Sequence, residues 1–239
     1  MQLPSIEIVE AIAKCGYDFV GLDLQHGAHD VRFALNALQL IDALGVPSVA
    51  RIQPSEMFLM ARLADYGLAG VVIAMCDNAE MIRSAVAAAR YQPEGLRSYA
   101  GQRLGMRPEK ANLMDEGPEV YAMIETRGGL DGLKEILAVP GVAGVHVGRA
   151  DLSLALGIDF RDDKSNRILD PVKRILHTTR DAGLHAAIHV GSGEEARSFI
   201  EMGFDQIVLG ADIALLRHAF ASALAVARQP ASAASEARA

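Results

Sequence analysis

Short apolar runs alternate with helix-length amphipathic segments along the whole chain, and this alternation limits the possible folds more than any other feature. Runs such as VVIAM at 71–75 and QIVLG at 206–210 are apolar almost throughout. A strand with one face in water would alternate polar and apolar residues. Near-continuous runs belong to sheets covered on both faces, the usual state of parallel strands. Gly16, Gly45, Gly67 and Gly183 each close a helical pattern, Pro47 introduces a strand and Pro54 opens a helix. Seven strands are expected, near residues 20, 48, 70, 120, 144, 186 and 206, with no hairpin signal between them. The spacing also predicts a long loop over 92–105 and a short helix over 107–116. Composition does not break along the chain, so residues 1–227 read as one α/β domain, with 228–239 a disordered tail rich in Ala, Ser and Arg. Seven strands is one short of the (β/α)₈ TIM barrel. A doubly wound open sheet is the competitor, but it usually carries a glycine-rich fingerprint after its first strand. Here the first run leads into Gln25-His26-Gly27 instead.

Residues with chemistry fall at equivalent places, the C-terminal ends of different strands. Asp23 and His26 end the first run, Arg51 lies near the end of the second, and Glu125 and Asp151 follow the fourth and fifth. In a parallel barrel those ends share one face, where active sites are built. The segments 120–124 and 144–147 flank a helical pattern over 129–137, so they form a parallel strand–helix–strand unit. Neighbouring strands lie about 4.8 Å apart. Glu125 and Asp151 can then reach one hard cation, at about 2.0–2.1 Å for Mg²⁺. The competing structural reading makes Glu125 a solvated strand-end acid and Asp151 the cap of the helical turn that follows.

Asp23 is spaced to orient the His26 imidazole and raise its basicity. A surface histidine in a loop is the alternative. Arg51 needs an anionic partner, either a carboxylate at the core edge or a substrate. Arg97 is a second anion contact or a structural charge, with the structural role favoured. His185 and His189 lie on one strand face without zinc spacing. Gly148–Ala150 can offer backbone N–H groups to a carboxylate. None of Lys14, Lys110, Lys134, Lys164 and Lys173 ends a strand, which disfavours a Schiff-base mechanism.

Composition removes several function classes. The net charge of −7 and the lack of a basic cluster argue against nucleic acid and anionic membrane surfaces. No apolar run is long enough to span a bilayer, and no signal segment is visible. Cys15 and Cys76 are isolated, as in a reduced cytoplasmic protein. Few aromatics and no Trp leave little material for a base-stacking surface.

An ordered set of segments resembles the HpcH/HpaI family of class II, metal-dependent pyruvate aldolases. GYDFVGLDLQHG, PSVARI, ADYGLAGVVIAMCDNAE, RYQPEGLRSYAG, IET and GRADLSLALG each resemble a family motif, and together they cover nearly the whole chain. The resemblance implies a (β/α)₈ barrel and homo-oligomers, often hexamers with the terminal helix exchanged. It further implies that Glu125 and Asp151 bind Mg²⁺, Mn²⁺ or Co²⁺, which pyruvate chelates. Arg51 would stabilise the enolate, His26 with Asp23 would move protons, and the backbone of Gly148, Arg149 and Ala150 would hold the substrate carboxylate. The partners implied are a small 2-oxoacid and an aldehyde. Gln25 stands where many relatives have Glu, Arg149 replaces the usual Pro, and Ala74 replaces the Pro before Met75. Relatives carry a strand upstream of Leu3-Pro4-Ser5. The first strand is therefore missing here, and either upstream residues or another segment of the chain is expected to close the gap. Two other readings remain: an acyl-CoA lyase of the citrate-lyase-β or malyl-CoA type, and a non-catalytic ligand-binding or assembly homologue.

Overall fold

A computed structural model describes residues 1–100, 117–159 and 166–229. The helix expected over 107–116 and most of the tail lie outside the described residues. The chain alternates α1 (Ile6–Lys14), β1 (Val20–Asp23), α2 (Val31–Ala43), β2 (Ser48–Ile52), a 3₁₀ turn (Pro54–Leu59) running into α3 (Met60–Asp65), β3 (Gly70–Ile73) and α4 (Ala79–Ala89). There follow β4 (Glu119–Ile124), α5 (Arg127–Asp131), α6 (Leu133–Leu137), β5 (Val142–Val147), α7 (Arg149–Ala155), α8 (Leu169–Asp181), β6 (His185–Val190), α9 (Gly193–Met202), β7 (Gln206–Leu209) and α10 (Asp212–Ala227). The seven strands pair in sequence order, all parallel, as a nearly closed TIM-type barrel. The single helix expected over 129–137 is two short helices broken at Gly132.

Local chemistry explains where helices start. The side chains of Ser5, Asp30, Asn78, Thr126 and Ser192 each accept a hydrogen bond from a first-turn backbone N–H. The strands are apolar on both faces because each face is covered. One set of residues, including Leu22, Ile52, Ile73, Ile124, Val147 and Ile188, packs outward against the helices. The alternate set, Val49, Val72, Ala74, Tyr121, Met123 and Ala143, fills the inside of the barrel. That inward set ends, at the C-terminal mouth, in Asp23, Arg51 and Glu125.

The ladder does not join β7 to β1. Met1–Leu3 occupies the upper end of that gap. The Met1 amine donates to Gly21 O at 2.6 Å, and Asp23 N donates to Met1 O at 3.0 Å, the pattern of a parallel strand on β1. On the other side, the Asp212 carboxylate at the start of α10 accepts from the N–H groups of Gln2 (2.7 Å) and Leu3 (2.9 Å). A carboxylate in the first turn of a helix is well placed to take such donors. Below Met1 a groove of about 100 Å³ runs between Phe19–Val20 and Ile207–Val208. No helix among the described residues is long and apolar enough to cross a membrane.

Candidate active site

β1 and β2 are paired so that Asp23 lies opposite Arg51. The Asp23 carboxylate accepts from Arg51 Nε at 3.0 Å and Nη2 at 2.6 Å, a bidentate pair. It also accepts from Gln2 Nε2 at 2.9 Å and from the N–H groups of Gln25 (3.2 Å) and His26 (3.1 Å). Burial opposes its ionisation, but Arg51, Gln2 and the His26 amide hold its pKa at about 2. Asp23 therefore grips the His26 backbone, not the His26 ring as the D-x-x-H spacing suggested. The chain turns tightly after Asp23, with Gly27 N donating to Asp23 O, and this leaves the imidazole exposed at the mouth.

Glu125, 2% exposed, stands at the end of β4. Its Oε1 accepts from Met75 N at 2.6 Å. Met75 has φ of 49°, a left-handed conformation uncommon outside glycine, and its amide points at the carboxylate. Gly148 faces the other oxygen: a Cβ there would meet Glu125 Oε2 at 2.3 Å. Glycine is required so that the carboxylate can lie against this backbone. Burial raises the Glu125 pKa; the Met75 amide lowers it, the Asp151 charge raises it further and Arg51 lowers it.

Asp151 is not the cap of its helix. Gly148 is the N-cap of α7, without a side-chain cap bond, and Asp151 lies inside the first turn, exposed to the cavity. The Gly148 amide already donates to Ile124 O at 3.2 Å. The donors left for a substrate carboxylate are those of Arg149 and Ala150, which have no acceptor within their own helix. The Arg149 side chain turns away from the cavity centre. Its Nη1 lies 2.7 Å from Glu195 Oε1, its Nη2 donates to His189 O at 3.0 Å, and the guanidinium lies 4.9 Å from the Phe199 ring centroid. It anchors the β5–α7 junction to β6 and α9.

Arg51, Glu125, Arg149, Ala150, Asp151 and His189 line one cavity of about 340 Å³. Arg97 is elsewhere: it is buried, bonds Asp65 at 2.6 Å and lies 4.5 Å from the Tyr91 ring centroid, a structural role. His185 pairs with Asp205 at 3.1 Å away from this cavity. Sequence reasoning missed the Met75 amide and the inward-facing histidine of β5, because neither the φ of one residue nor the facing of one side chain shows in a pattern.

The donor set fits a hard cation. Two carboxylates face one cavity, and burial first, then their mutual repulsion, raises the Glu125 pKa. A divalent ion would reverse that repulsion. Mg²⁺ commonly takes one or two protein carboxylates and completes its shell with water and substrate. The described residues contain no group of three or more His, Cys, Asp or Glu placed to hold a metal ion.

The chain is a parallel β/α barrel that brings a guanidinium and two carboxylates to the mouth at the carboxyl ends of its strands, where barrel enzymes build their active sites. Comparison with known proteins places it further. The HpcH/HpaI aldolase/citrate lyase family matches residues 2–219, and the chain belongs to that family. It is 32% identical over 231 residues to a hydroxypyruvate/pyruvate aldolase of Rhizorhabdus wittichii, covering 95% of this chain and 92% of the relative. A solved HpcH/HpaI aldolase/citrate lyase family protein from Burkholderia cenocepacia superposes with a TM-score of 0.86 at 30% identity, covering 95% and 92% of the two chains. A solved citrate synthase, SbnG, superposes with a TM-score of 0.82 at 28% identity, covering 95% and 90%. The protein is a carbon–carbon lyase of this family.

Proposed function

We propose that the protein is a metal-dependent aldolase that cleaves or forms 4-hydroxy-2-oxoacids, with pyruvate or hydroxypyruvate as the 2-oxoacid and an aldehyde as its partner. The observation carrying this reading is the convergence of Glu125, Asp151 and the Asp23-held Arg51 on one cavity. Glu125 and Asp151 would hold Mg²⁺, Mn²⁺ or Co²⁺. Bound there, the cation would act as a Lewis acid on the 2-oxoacid carbonyl.

The chain's own residues supply the rest. In cleavage the C3–C4 bond breaks, the 4-hydroxyl loses its proton as the aldehyde forms, and negative charge develops on the keto oxygen until C3 takes up a proton to give the 2-oxoacid. The Arg51 guanidinium, fixed in two places by Asp23, is a preorganised donor for that charge. The first-turn amides of Arg149 and Ala150 orient the substrate carboxylate. His26, exposed at the mouth, moves protons between substrate and solvent. The test is pyruvate release from 4-hydroxy-2-oxoacids over a panel of aldehyde products. Release is expected to stop on complete chelation and to return with Mn²⁺, Mg²⁺ or Co²⁺. Activity surviving full metal removal would reject the reading.

The likeness to a citrate synthase favours one second reading, condensation or cleavage with a citrate-lyase-type substrate. Acyl-CoA-dependent turnover, with none from free 4-hydroxy-2-oxoacids, would establish it.

The homo-oligomer is part of the same proposal. In α10 only Asp212 is buried, while Ile213, Leu215, Phe220, Leu224 and Val226 are exposed, Phe220 at 71%. A sixteen-residue helix this apolar needs cover, and a second copy of the chain is the cover the reading assigns. Light scattering is expected to give a hexamer, and Phe220→Asp a smaller species. A wild-type monomer at micromolar concentration rejects the assembly.

A further inference from the structure

Beneath the site, inside the barrel, lies a second cavity of about 210 Å³. Arg51, Met123 and His189 border both cavities, so the two adjoin. Its wall is largely apolar, with Val49, Val72, Met123 and Ala187. Among its polar side chains Gln2, Asp23, Arg51, Tyr121 and Gln206 have hydrogen-bond partners, and one on β5 has an atom without. His146 on β5 faces inward, paired in register with Met123 of β4 and Ala187 of β6. Glu125 and His189 stand two residues further toward the mouth, about 6.6 Å by strand rise. His146 is 7% exposed, and its Nε2 has no hydrogen-bond partner among the described residues.

A buried polar atom without a partner costs about 1–3 kcal/mol. Buried polar groups in folded proteins are otherwise almost always paired. An apolar side chain here would avoid the cost and match the wall. Local rules broken inside an otherwise consistent core mark functional positions. The group is also constrained in charge. Burial, with the positive fields of His189 and Arg51, holds the His146 pKa at about 3, so the ring is neutral in working conditions. A neutral imidazole offers Nε2 as donor or acceptor according to tautomer.

We propose that His146 is a specificity-determining residue whose Nε2 hydrogen-bonds a hydroxyl on the 2-oxoacid, selecting a 3-hydroxylated donor over its methyl analogue. The assignment rests on the aldolase reading. The partner of Nε2 is uncharged, because the residues flanking His146 on the sheet, Met123 and Ala187, offer a charge no counterion. Anions are served above by Arg51, and the Asp23 carboxylate is already saturated by Arg51 and Gln2. The partner is limited in size, because about 210 Å³ exceeds only modestly the roughly 150 Å³ that accommodates a benzene ring. A methyl group entering the space would leave Nε2 orphaned. A hydroxyl satisfies it.

The test compares hydroxypyruvate with pyruvate as donors to one aldehyde, in the metal-loaded wild type and in His146→Phe. Phenylalanine keeps a flat aromatic ring, somewhat larger, and removes both nitrogens. Wild type is expected to favour hydroxypyruvate. The variant should lower the ratio of kcat/KM values, hydroxypyruvate over pyruvate, about tenfold, by loss of one neutral hydrogen bond. A second reading uses binding alone: nitrogen-15 spectra of histidine-labelled wild type. Hydroxypyruvate should shift His146 Nε2 and pyruvate should not. An unchanged ratio in a folded variant, or equal shifts with both acids, overturns the proposal and assigns the nitrogen to water. If the wild type turns over neither donor, the aldolase reading falls. The nitrogen-15 titration then still decides whether His146 distinguishes the two acids. If the variant fails to fold, the same titration on wild type decides.

Discussion

Glu125→Gln is expected to lower pyruvate-forming turnover by about a thousandfold or more and to weaken binding of Mn²⁺, without destabilising the metal-free protein. The size follows from loss of the cation that Glu125 would hold, whose stabilisation of the charge developing on the keto oxygen is worth several kcal/mol. The stability half of the result follows from the electrostatics. Glu125 is buried, accepts one backbone donor, and faces Asp151, so folding raises its pKa. A carboxyl with a raised pKa binds its proton more tightly folded than unfolded. The stability it contributes is therefore present below the unfolded value, 4.5, and is lost as pH rises through the raised one. At neutral pH and without metal the raised pKa of Glu125 opposes folding. A neutral glutamine of the same shape relieves that, so the chelated variant should melt no lower than chelated wild type, and its melting temperature should fall less between about pH 4 and about pH 8. Metal should raise the melting temperature of wild type much more than that of the variant. A variant that keeps wild-type turnover, or that loses stability at neutral pH with metal removed, would show that Glu125 is a structural acid.

Much of this arrangement is legible in the sequence, and the limits are physical. Apolar runs covered on both faces locate all seven strands, because burial leaves a mark on composition. The placement of Glu125 and Asp151 at consecutive strand ends follows from the strand–helix–strand unit alone. The pairing of Asp23 with Arg51 does not, because it depends on the register of β1 against β2. The D-x-x-H spacing suggested a histidine partner, but the turn after Asp23 points the amide of His26 inward and its ring outward. The left-handed Met75 that supplies a donor to Glu125 has no pattern of its own. His146 reads as one more polar residue in an apolar run until its facing is known. The gap left by a seven-strand count was legible, whereas its partial closure by Met1–Leu3 rests on two amides reaching Asp212, two hundred residues away.

Asp23→Asn separates two functions that one carboxylate serves. Asp23 positions Arg51 through two hydrogen bonds and ties β1 to the Met1–Leu3 segment through Gln2. An asparagine keeps the shape, but it replaces one acceptor oxygen with a donor facing the guanidinium. Arg51 then loses its bidentate partner in a half-buried site, where breaking an ion pair costs more than the pair is worth intact. A stability loss of about 2–3 kcal/mol is expected, since the pair is less buried than those that lose the most. The effect should depend on pH in a defined direction. Despite burial, Arg51, Gln2 and the His26 amide depress the Asp23 pKa from 3.8 to about 2. Stability from a depressed carboxyl is present above its unfolded value and is lost as pH falls toward the folded one. Wild type and variant should therefore differ fully at neutral pH and converge as pH falls from 3.8 toward about 2. Catalysis should suffer separately: kcat falls about a hundredfold because the guanidinium is no longer held against the developing charge. Affinity for Mn²⁺ should change little, because Glu125 and Asp151 are untouched. Chemical denaturation across pH, steady-state kinetics and metal titration on the one variant measure all three. Weakened metal binding would place Asp23 in the cation's own shell, and an unchanged kcat would show that Arg51 needs no partner to act.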